Sequence, residues 1–65
     1  MTEKQANVIA DALGGESWQS GGGIYVITFR RKDGKMVVLS DESICEYASE
    51  ENFENNKSIS CIPLH

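Results

Sequence analysis

The chain has 65 residues, with 10 acidic and 6 basic side chains and a formal net charge of −4. That is one small domain near the lower limit of independent stability, of the size that usually draws on a disulfide, a metal or a partner chain. The negative balance argues against gripping DNA or RNA through phosphate neutralisation, and no stretch is long and apolar enough for a membrane span.

Residues 2–13 are expected to form a helix. Thr2 and Gln5 have the spacing of a capping box. Ala6, Ile9, Ala10 and Leu13 recur at i, i+3, i+4 and i+7, one helical face, with Val8 and Ala12 widening the stripe. Gly14 and Gly15 follow, and glycine accepts the left-handed conformation that ends a helix. The same N-terminal stretch lacks the basic start and unbroken apolar run of a signal peptide. The expectation is therefore a cytoplasmic protein with Cys45 and Cys61 reduced, since two cysteines do not make a disulfide framework.

Residues 16–23, ESWQSGGG, read as a connection. Residues 24–31 and 35–40 read as strands, rich in β-branched and aromatic side chains. Asp33-Gly34 between them signals a two-residue type I′ hairpin. That turn would set Phe29 opposite Val38 and Arg31 opposite Met36, and would leave both faces of the ribbon apolar. Residues 44–48 read better as a strand than as a helix begun by Ser43 and Glu46. Residues 49–53, SEENF, read as a single helical turn capped by Ser49. Residues 58–62 form a last short strand, with Pro63 at its end. The predicted fold is α+β, one domain spanning 1–65, with an N-terminal helix on a three- to four-stranded antiparallel meander.

Four sets of residues are candidate sites. Ser20, Gly21, Gly22 and Gly23 could cradle an anion, but a phosphate loop leads into a helix with a lysine at hand, and here a strand follows. Trp18 and Gln19 beside them could line a ligand pocket, although an indole in a small domain more often covers core or interface. Arg30, Arg31, Lys32 and Lys35 form a basic tip able to contact an anionic partner; charge at a hairpin end also discourages edge-to-edge association. Cys45, Cys61 and His65 are the soft metal ligands, without the spacing of a zinc site. No catalytic residue, cofactor or metal is predicted.

The two apolar faces of the 24–39 ribbon, set against a single long helix, point to a non-enzymatic interaction module, a homodimer or the companion of another protein. Two alternatives stand beside it. One is an acidic inhibitor or nucleic-acid mimic using Asp41 to Glu54 against a basic partner. The other is a small-ligand binder or enzyme at the Trp18–Gly23 loop.

Overall fold

The computed structural model describes residues 1–64; His65, the third of the soft ligands weighed above, lies outside them. Along the chain run α1 (Glu3–Leu13), β1 (Glu16–Gln19), β2 (Tyr25–Arg30), β3 (Met36–Leu39), β4 (Ser43–Tyr47), α2 (Glu50–Glu54) and β5 (Ser60–Pro63). The five strands form one antiparallel meander in the order β1-β2-β3-β4-β5. The α+β architecture and the helix-on-sheet arrangement are those expected from the sequence, with one strand more.

The capping box forms as its spacing predicts. The Thr2 side chain accepts from the Gln5 N–H at 3.1 Å, and the Gln5 side chain accepts from the Thr2 N–H at 3.0 Å. Gly14 closes α1 at φ 70°, the left-handed region. Gly15 has a different task. A Cβ there would lie 2.2 Å from the Thr28 carbonyl oxygen, so only glycine lets the turn into β1 press against β2.

The extra strand, β1, comes from the tri-glycine segment turning back rather than merely entering β2. The Ser20 N–H donates to the Ile24 carbonyl and the Gly23 N–H to the Ser20 carbonyl, with Gly23 at φ 80°. The next hairpin repeats this scheme. The Arg31 N–H donates to the Lys35 carbonyl and the Gly34 N–H to the Arg31 carbonyl, with Gly34 at φ 87°. Each is a three-residue loop whose last residue is a left-handed glycine.

The second of these corrects the predicted register. A type I′ turn needs positive φ at both central residues, and Asp33 does not adopt it. The loop takes Lys32 as a third residue, and Phe29 pairs with Val37 and Arg30 with Met36. A slip of one residue exchanges the faces of a strand, so Val37 and Leu39, not Met36 and Val38, share a side with Ile27 and Phe29.

Directly paired residues share a face, and the two faces differ in their cover. On the first, α1 lies over β1 and β2, and Ala6, Ala10 and Ile27 form a buried cluster joined by Ile9, Tyr25, Phe29 and Leu39. On the second lie Trp18, Val26, Met36, Val38 and Tyr47. The single helical turn expected at 49–53 is α2, capped by the Ser49 side chain accepting from the Asn52 N–H. Its Phe53 ring stands edge-on to Tyr47 at 5.2 Å and to Trp18 at 6.2 Å. Val26 beneath is 7% exposed. The ribbon's second face is thus covered by the same chain, which removes the reason for placing a partner there.

A second correction concerns the cysteines. Register places Cys45 directly opposite Cys61, Cα to Cα 4.0 Å, and the two are joined as a disulfide. Spacing along the chain carries no sign of this; the β4–β5 pairing creates it.

Candidate interaction surface

The predicted basic tip is assembled, but in company. Arg30 Nη2 lies 2.7 Å from Glu50 Oε2, Arg31 Nη1 lies 2.9 Å from Glu46 Oε2, and Lys35 Nζ lies 3.4 Å from Glu46 Oε1. Arg31 also approaches Asp33 at 3.4 Å. The hairpin cations and the acidic segment, distant in sequence, face each other because β3 pairs with β4 and α2 follows at once. These pairs are largely exposed, and each contributes at most about 1 kcal/mol. Lys32 sits exposed on the loop.

The Trp18–Gly23 segment is the end of the β1–β2 hairpin. Trp18 packs on Phe53, and the Gln19 side-chain amide donates to the Gly23 carbonyl at 3.2 Å. Gly21 and Gly22 stand in open space. A cleft of about 260 Å³ lies elsewhere, between the α1–β1 turn, the end of β2 and α2, with Glu16, Arg30 and Glu50 among its lining residues. Among the described residues no three His, Cys, Asp or Glu side chains converge to hold a metal ion, and no helix is long and apolar enough to cross a membrane. No family model matches the chain, and no curated protein or solved structure matches it either.

The surface that stands out was not singled out from the sequence. A sheet of five strands about 4.8 Å apart is roughly 19 Å wide, whereas one helix covers about 10 Å. With α1 over β1 and β2, the β4–β5 half of the same face lies open. Ile44 pairs with Ile62 there. Leu64 continues the side of Ile62, its N–H donating to the Glu42 carbonyl at 2.9 Å. Ile44 is 37% exposed, Leu64 47% and Ile62 60%. Alongside, α1 presents Val8, 61% exposed, on its outer surface, and Leu13 is also exposed. The apolar run 24–39 drew attention to the centre of the sheet; the unsatisfied apolar area is at its C-terminal margin. Two apolar residues spaced by two, Ile62 and Leu64, are the available sign in the sequence.

Tyr25 is a titrating group with a displaced equilibrium. Burial raises its pKa above the ordinary tyrosine value, and the Glu3 carboxylate, which accepts from the hydroxyl at 3.4 Å, raises it further. This phenol stays protonated at physiological pH and serves as a donor that ties α1 to β2.

Proposed function

We propose that the chain is a small non-enzymatic protein-interaction module that works as a homodimer, and that its contact surface is the open β4–β5 half of the helix-bearing face. The observation that supports this is the cluster of Ile44, Ile62 and Leu64 beside Leu39, apolar side chains gathered on one flank and left wet in the single chain. Contiguous apolar surface of this kind marks contact sites more often than not. The acidic-inhibitor reading draws less support, because Glu46 and Glu50 are engaged by cations of their own chain.

Light scattering at micromolar concentration tests the reading. The expected mass is twice the 7.2 kDa of one chain. Ile62→Glu, an exposed position on an edge strand, is expected to return the mass to that of one chain while leaving the far-ultraviolet circular dichroism unchanged. A wild-type protein of single-chain mass at tens of micromolar would overturn the proposal.

A further inference from the structure

The open floor is built on two strands that are held unequally. Ile44 lies on β4, which is paired on both sides, to β3 and to β5. Ile62 lies on β5, the last strand of the sheet, and Leu64 directly follows it. Every residue of β5 is exposed, so burial contributes little to holding it. Its other attachments are the ladder to β4, the Ile59 N–H to the Glu46 carbonyl, the Leu64 N–H to the Glu42 carbonyl, and the Cys45–Cys61 bond. Segments with wet backbone bonds and few packed side chains belong to the low-stability end of a fold.

Building on the reading of this face as the homodimer contact, we propose that the Cys45–Cys61 disulfide is a redox gate on it. Oxidised, the bond keeps Ile62 and Leu64 beside Ile44. Reduced by a dithiol, it lets β5 leave, and the floor comes apart. The tie closes a segment of separation 16, and a loop of that size shifts the balance between attached and detached strand on the order of 100-fold. The change stays local. The cluster under α1 and the Trp18–Tyr47–Phe53 group take no residue from β5, so the rest of the domain keeps its packing when β5 goes.

The bond is placed where a reductant can reach it. Cys61 is exposed on the edge strand, whereas Cys45 is half-buried on the strand between β3 and β5. Beyond β5 the sheet ends, so a thiolate meets the Cys61 sulfur from solvent. It forms a mixed disulfide with Cys61, and Cys45 departs as the thiolate. Ser43 Oγ stands 3.7 Å from Cys45 Sγ, where its hydroxyl donates to the departing sulfur, and a stabilised thiolate leaves faster. The second thiol of the reductant attacks the mixed disulfide and frees Cys61. Two electrons pass to the protein, the dithiol becomes a disulfide, and its two protons end on the Cys45 and Cys61 sulfurs.

Two measurements on the wild-type protein, oxidised and then treated with dithiothreitol at neutral pH, test the gate. Hydrogen exchange reads the strand, and light scattering at micromolar concentration reads the surface. Reduction is expected to speed exchange of the 60–64 amides on the order of 100-fold, while residues 25–30 keep their protection. The doubled mass should fall to that of one chain, and reoxidation with oxidised glutathione should restore both readings. Cys45→Ser/Cys61→Ser is expected to behave as the reduced protein with or without reductant. A reduced protein that keeps its 60–64 protection, or its doubled mass, overturns the gate and leaves the homodimer reading standing. Equal loss of protection over 25–30 and 60–64 overturns it too, since reduction would then unfold the domain. Single-chain mass in the oxidised protein removes the homodimer reading and the gate on it together; faster 60–64 exchange on reduction would then show only that the bond holds β5.

Discussion

At the β1–β2 end of the sheet, order comes from packing: α1 lies over the strands, Ile27 is fully buried beneath it, and glycine at position 15 lets the backbones close up. At the β4–β5 end no helix lies overhead on that face, β5 is exposed along its whole length, and a covalent bond between Cys45 and Cys61 ties the edge strand to its neighbour. Both solutions address the same shortage. A domain this small cannot enclose enough apolar surface to hold every strand by burial. The chain concentrates burial at one end and supplies a chemical tie at the other, where apolar side chains stay available for contact.

The contrast can be broken in three ways, taken from the largest effect downward. Ile27→Ala removes the one large side chain that is completely enclosed among the described residues. It is expected to cost about 2–5 kcal/mol in urea unfolding, and a loss below about 1 kcal/mol would mean that the packed end is not what carries the fold. The Cys45→Ala/Cys61→Ala protein is next. The bond closes a segment of separation 16, and opening such a loop is expected to cost about 3 kcal/mol. Hydrogen exchange gives the sharper readout: amides of β5 and the outer side of β4 should lose protection while β2 keeps most of its own. Equal loss in β2 and β5 would show the two ends to be a single cooperative unit.

The smallest effect concerns Tyr25 and Glu3. Because the tyrosine holds its proton more tightly when folded, the folded state binds more protons than the unfolded one as pH approaches and passes 10. The contribution is fully present below that range and fades as pH rises through it. Wild-type stability should therefore fall more steeply above pH 10 than that of Tyr25→Phe. Parallel stability profiles for the two proteins would disprove the link between α1 and β2 through this hydroxyl.

These two ends were not equally readable from the chain. The capping box at Thr2 and Gln5, the periodic stripe of α1 and the β-branched runs of β2 and β3 are local signals, and each element forms as they imply. Ser49 as a cap for α2 was readable for the same reason. The register of β2 against β3 was not, because Asp33-Gly34 is compatible with two loop lengths and the choice depends on which residues accept positive φ. Strand β1 was hidden by its polar alternation: Ser17 and Gln19 face the helix side at a sheet edge, where Ser17 donates to Asn7 rather than burying an apolar group. The disulfide and the open floor are products of β4–β5 pairing, a long-range event that no window of sequence records. The apolar run 24–39 points to the ribbon, and on its second face Phe53 packs over Trp18 and Tyr47.

One turn of the chain brings together the first and last described residues. Met1 contacts Asp41 through its amino group, and Leu64 bonds to the carbonyl of the adjacent Glu42. The first and last described residues thus lie beside the β3–β4 loop, while the tri-glycine bend at Gly21 and Gly22 lies free of neighbours. A circularly permuted chain, spliced across the first pair and cut at the second, would keep every strand beside its present neighbour and begin its synthesis with β2.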